Sequence, residues 1–119
     1  MRSTAQAYLS VALIVLLATI SGHAQNGNVA GFGLTPCREI DSFVSLAPGR
    51  TAILGWAFGF MSGVNAMKTA RDRNFRDLAG LNADLMLGSI RAYCNQHPDA
   101  SVIAAVEAIQ ISRPLRLAD

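Results

Sequence analysis

From Thr35 onward the apolar positions of this chain recur at steps of three and four residues. That spacing gathers side chains on one face of an α-helix. Cys37, Ile40, Val44 and Ala47 make the first stripe, opened by Thr35 as N-cap with Pro36 in the first turn, and stopped by Pro48-Gly49. The longest apolar stretch follows, Thr51–Lys68, with no charged residue between Arg50 and Lys68. Within it Ile53, Trp56, Phe60, Val64 and Met67 share one arc. Gly55, Gly59 and Gly63 fall four apart on a neighbouring strip, which predicts close approach of another helix. Leu54, Phe58 and Met61 cover much of the remainder, and a helix apolar on most sides is expected to be enclosed. The stretch sits at the short end of the range for a membrane span, and Thr51, Ser62 and Asn65 lower its apolarity. It therefore predicts the central helix of a small bundle rather than a stable membrane segment.

Thr69–Gly80 breaks the pattern, with Asp72 and Asp77 interleaved among arginines, and reads as a solvated connection. Asn82 is the expected N-cap of a third helix, with Asp84 near its positive end. Met86, Ile90, Tyr93 and Cys94 form its apolar side, and His97-Pro98 ends it. Asp99 is expected to cap a fourth helix whose stripe is Val102, Ile103, Val106 and Ile109, opposite Glu107. From Ser112 the chain has a proline, charges and no period, so residues 112–119 are expected to be a loose tail. The predicted fold is all-α: a single-domain, four-helix bundle over residues 35–111 with no repeat.

The N-terminus stands apart. Arg2 precedes the apolar run Ala7–Ile20, and Gly22 and Ala24 are small residues placed for cleavage before Gln25. Residues 1–24 are thus expected to be a secretory signal peptide, and the Gly- and Asn-rich residues 25–34 a flexible leader. No lipobox cysteine follows, since the first cysteine is Cys37, and the expected location is a bacterial periplasm. In such a compartment the two cysteines of a small domain, Cys37 and Cys94, are expected to form a structural disulfide.

Charge and motif content narrow the function classes. Beyond the signal the chain carries eight arginines and Lys68 against eight carboxylates, a nearly neutral and scattered set that gives no footprint for nucleic acid. His97 is the sole histidine there and has no recognisable nucleophile or carboxylate partner, and no phosphate loop, HExxH or paired-cysteine motif is present. No enzyme activity, cofactor or metal is expected. The conspicuous cluster is Trp56, Phe58, Phe60 and Met61. Because a domain this small cannot bury every side of one helix, part of it is expected to bind a client protein or a partner. A subunit pair packed through Gly55, Gly59 and Gly63 is a further expectation.

Thr35-Pro36-Cys37-Arg38-Glu39 at a helix start, an aromatic-containing middle helix, and Tyr93-Cys94-Asn95-Gln96-His97-Pro98 behind an export signal resemble the HdeA/HdeB family of periplasmic acid-stress proteins. The resemblance covers about Leu34 to Ile109. It implies a helical domain bridged by Cys37 and Cys94 and often paired near neutral pH. In acid such a domain loosens and holds unfolding periplasmic proteins on exposed apolar surface, without ATP or cofactor. Protonating the eight carboxylates would leave the nine bases and His97 to repel one another. A second pattern, Gly59-Phe60-Met61-Ser62-Gly63-Val64 with Tyr93 and His97-Pro98-Asp99, is similar to Tai-type immunity proteins, periplasmic helical inhibitors of secreted amidase effectors. That likeness implies one tight protein partner at neutral pH.

Overall fold

A computed structural model of the protein describes residues 29–119. The expected signal peptide, its cleavage site and the first residues of the leader lie outside the described residues. Among the described residues four α-helices follow two short 3-10 turns, Gly31–Leu34 and Cys37–Glu39. The helices are α1 (Ile40–Val44), α2 (Ala47–Asp72), α3 (Ala83–Gln96) and α4 (Val102–Ser112). The three-residue strands β1 (Asn74–Arg76) and β2 (Leu115–Leu117) pair antiparallel, with Phe75 opposite Arg116. The expected all-α bundle with one disulfide is what the chain forms.

At 26 residues, α2 is longer at both ends than the apolar stretch predicts. Pro48 does not stop the preceding helix. It sits in the first turn of α2, where its missing N–H costs nothing and its fixed φ suits a helix start. Gly49 lets that turn press against the carbonyl of Phe43, where any Cβ would collide with main chain. Arg50 closes the corner by donating from one guanidinium nitrogen to the carbonyls of Val44 (3.0 Å) and Ser45 (3.1 Å). At the other end Lys68 reaches Asp72 one turn on (2.8 Å), and Arg73 ends the helix in the left-handed region at φ 52°.

The core is built by small steps along one stripe. Ile53, Ala57 and Met61 on α2 are fully buried against Met86, Ile90 and Cys94 of α3 and Val102, Ala105 and Val106 of α4. Each large side chain so enclosed contributes about 1.5–3 kcal/mol. Trp56, Phe60 and Val64, expected to lead the buried arc, flank it half-exposed, and Met67 is 51% exposed. Ala57 and Met61 take the centre instead, both fully buried, and Gln110 of α4 reaches the Met61 carbonyl on that side.

Cys37 and Cys94 are joined, with their Cα atoms 4.7 Å apart. Closing a loop of 57 residues contributes about 4 kcal/mol by chain entropy. Thr35 does not cap a helix as expected. Its carbonyl accepts from Val102 N–H (3.0 Å) while Cys37 N–H donates to Ala100 O (2.9 Å), so the crosslinked segment also holds the start of α4. Asn82 caps α3 through its side-chain oxygen and Leu85 N–H (2.9 Å), as expected. The N-cap of α4 is Ser101 rather than Asp99, which instead pairs with Arg38 (3.0 Å).

Two segments expected to be loose are structured. The end of the tail is strand β2, and residues 31–34 of the leader form a turn laid across Trp56. No helix among the described residues is long and apolar enough to cross a membrane.

Candidate functional site

The C-terminal half of α2, the end of α4 and the β1–β2 ribbon come together without filling the space between them. A cleft of about 570 Å³ remains. Phe60, Val64 and Lys68 line it from α2, Phe75 and Arg76 from β1, Glu107, Gln110 and Ile111 from α4, and Leu115 from β2. Its walls are chiefly apolar. Ile111 is 67% exposed and Leu115 55%, so the apolar surface runs out of the cleft onto the rim.

Its floor is polar and fixed. Gln110, buried among apolar residues, donates from Nε2 to Met61 O (3.1 Å) and to Asn65 Oδ1 (3.3 Å). The same Asn65 oxygen accepts Arg76 N–H (2.9 Å), and Asn65 Nδ2 donates to Arg76 O (2.7 Å). A side-chain amide thus takes the place of a neighbouring strand at the inner edge of β1, and it ties helix, helix and ribbon to one point.

The ribbon is held by arginines. Arg113 donates to the carbonyls of Asp77 (2.9 Å) and Ala79 (2.6 Å), and Arg76 donates to Arg113 O (3.0 Å). Asp77 accepts Ala79 N–H (2.9 Å) and Arg116 Nε (3.1 Å). The Ala79 N–H first, and the Arg116 guanidinium after it, hold the Asp77 carboxyl below its ordinary pKa. Asp72 is lowered to about 2 by hydrogen bonds from Arg71 and then Lys68. The stretch that read as a solvated connection is therefore fastened to the tail, by its own Arg76 from one side and by Arg113 and Arg116 from the other.

The residues expected to form a binding cluster are dispersed. Met61 is fully buried beneath Gln110 and belongs to the core of the folded domain, because it continues the Ile53–Ala57 stripe at i+4 and i+8. Phe58 is half-buried against the core on another side of α2. Trp56 and Phe60 do stack, with ring centroids 5.2 Å apart and planes 14° from parallel. Only Phe60 reaches the cleft. The Trp56 ring is covered by Gly33, and its indole N–H donates to Ala30 O (3.0 Å).

Gly55, Gly59 and Gly63 pack against nothing among the described residues; a Cβ at each would meet open space. The helix approach expected there is not made within the chain, because α3 and α4 dock on the Ala57 side. Phe75, Gln110, Ile111 and Leu115 went unnoticed in the sequence. They lie on three-residue strands or at a helix end, and the one available signal was glutamine interrupting the apolar face of α4.

Among the described residues no three His, Cys, Asp or Glu side chains gather as a metal site. What the fold and cleft define is a disulfide-bridged all-α domain with an apolar, amide-floored groove at one end. No family model matches the chain, and no curated protein or solved structure matches it either.

Proposed function

We propose that this chain is an exported holding protein of the HdeA/HdeB kind, which binds apolar stretches of unfolding periplasmic proteins in the cleft between α2, α4 and the ribbon. The observation that carries the proposal is the cleft itself. Phe60, Val64, Phe75, Ile111 and Leu115 give continuous apolar surface at an exposed end of the fold. Exposed apolar surface of this kind marks sites that bind other polypeptides.

The placement of charge supports loosening in acid. Three ion pairs join segments far apart in the chain: Arg38–Asp99, Arg91–Asp41 and Arg116–Asp77. Asp77 is held below its ordinary pKa, by Ala79 N–H first and Arg116 after it, so protonating it leaves Arg116 cationic and removes one fastening of the ribbon that walls the cleft. The Cys37–Cys94 crosslink limits how far such a chain opens.

The test is a titration from pH 7 to pH 2 with a hydrophobic dye and an aggregating client. Dye binding and protection from aggregation should rise together as pH falls. Phe75→Lys, which places a charge in the cleft that persists through the whole titration, should reduce protection severalfold. Absence of any protection across the range removes the proposal.

A second reading, an immunity-type inhibitor, is favoured by one observation: the cleft is already open, with its Asn65–Gln110 floor fixed, before any acid change. It predicts one stoichiometric partner bound at neutral pH. Inhibition of a secreted amidase encoded beside this gene, with no general client protection, would select it.

A further inference from the structure

The ribbon has one edge closed and one open. On β1 the outward N–H and C=O of Arg76 are taken by the Asn65 side chain. On β2 nothing equivalent happens. The pairing of Phe75 with Arg116, flanked by Asp77 N–H to Pro114 O (2.8 Å) and Ala118 N–H to Arg73 O (3.0 Å), turns the main chain of Arg116 toward β1. The N–H and C=O groups of Leu115 and Leu117 consequently face away from it. Among the described residues none hydrogen-bonds them. Leu117 is 82% exposed and Leu115 55%, so the open edge is apolar as well as unpaired.

On the reading that this end of the molecule holds polypeptide, we propose that β2 accepts an extended segment of another protein as a third strand, with an acidic residue opposite Arg116 and apolar residues opposite Leu115 and Leu117. An unpaired edge supplies main-chain hydrogen bonds to any extended chain, and the alternating side chains set its preference. The preference here follows from charge. Lys68, Arg71, Arg73, Arg76, Arg113 and Arg116, six of the nine bases in residues 29–119, lie in the segments that build this end. Asp72, Asp77, Glu107 and Asp119 are the acids of the same segments. The excess is cationic.

A second copy of β2 is the other self-evident occupant, and it fits poorly in the register that uses both leucines. The outward groups of Leu115 and Leu117 pair two copies antiparallel about Arg116. The two Arg116 side chains would then stand directly opposite each other, an arrangement that destabilises a strand pair. A foreign strand with apolar–acidic–apolar alternation has no such conflict; Arg116 already pairs with Asp77 through Nε, and the incoming carboxylate would share the same guanidinium.

The test uses fluorescence anisotropy at pH 7 with the mature protein and two labelled peptides that differ only in a Val-Glu-Val or Val-Lys-Val core. The acidic peptide should bind at least tenfold tighter. Leu117→Pro removes the outward N–H but none of the bonds to β1, so it should keep the fold by circular dichroism and weaken the acidic peptide at least tenfold. Arg116→Gln should bring the two peptides to equal affinity.

Equal binding of both peptides by the unaltered protein, or full binding by Leu117→Pro, overturns the proposal. So does a dimer in sedimentation that Leu117→Pro dissolves, which would make a second copy the occupant. Client protection that persists while the peptide preference is absent overturns strand addition and leaves the cleft reading standing.

Discussion

Asn65 grips the main chain of Arg76 on both sides, accepting its N–H at 2.9 Å and donating to its carbonyl at 2.7 Å. One helix side chain thereby does the work of a third strand. Asn65→Leu should cost about 1–3 kcal/mol, since the Arg76 groups lose their partners and Gln110 loses an acceptor. Urea denaturation measures the loss, and hydrogen exchange should quicken at Arg76 and across the ribbon while α3 stays protected.

Gly33 lies flat on the Trp56 ring, and a Cβ there would overlap the indole. Gly33→Ala should lift residues 30–34 from α2, break the Trp56–Ala30 hydrogen bond and cost about 1–3 kcal/mol. Trp56 is the sole tryptophan, so a red shift in its emission reports the displacement directly. Gly31→Ala should act in the same direction, because Gly31 has φ +78°, a conformation that side chains resist.

The exposed glycines of α2 should behave in the opposite way. Gly59 is inside a helix with open space around its Cα, so Gly59→Ala should raise stability by about 1 kcal/mol. Thermal denaturation checks the sign. A Gly59→Leu variant carries the question of subunit pairing: any dimer packed through Gly55, Gly59 and Gly63 should fall apart in sedimentation, while a monomer should be unaffected.

Asp72 and Asp77 both have folded-state pKa values depressed by their arginine, lysine or main-chain donors. A depressed carboxylate contributes stability that is complete above its unfolded value, about 4, and is lost as pH falls through the folded value. Stability should therefore be level from neutrality down to about pH 5 and decline between about 4 and 2. Denaturation at fixed pH values follows the decline. Asp77→Asn should flatten part of it, because the Arg116 pairing no longer titrates.

The helical part of this fold is written in local spacing, and the cleft is not. Met86, Ile90 and Cys94 announce α3 by period, and Asn82 announces its start by chemistry; both signals lie within a few residues of what they control. Pro48 is ambiguous to the same reasoning, because a proline that ends one helix is indistinguishable from one that begins the next until the φ of its neighbours is known.

Ala57 gives little hydrophobic signal because it is small, yet it is fully buried at the centre of the α2 stripe. The strands Asn74–Arg76 and Leu115–Leu117 are too short to show alternation, and they are brought together from distant parts of the chain by Asn65, Arg76, Arg113 and Arg116. Such contacts are set by the packed helices. They carry no periodic trace.

The position of the single crosslink divides the molecule unequally. Between Cys37 and Cys94 the backbone is a closed ring that includes α1, α2, β1 and α3, whereas α4 and β2 hang from that ring as an arm. The two banks of the cleft belong to different topological parts, one covalently confined and one not. Widening the gap breaks the Gln110, Arg113 and β1–β2 bonds that span it but leaves the crosslink unstrained, and the knot at Thr35, Cys37, Ala100 and Val102 keeps the arm beside the ring to which it must return.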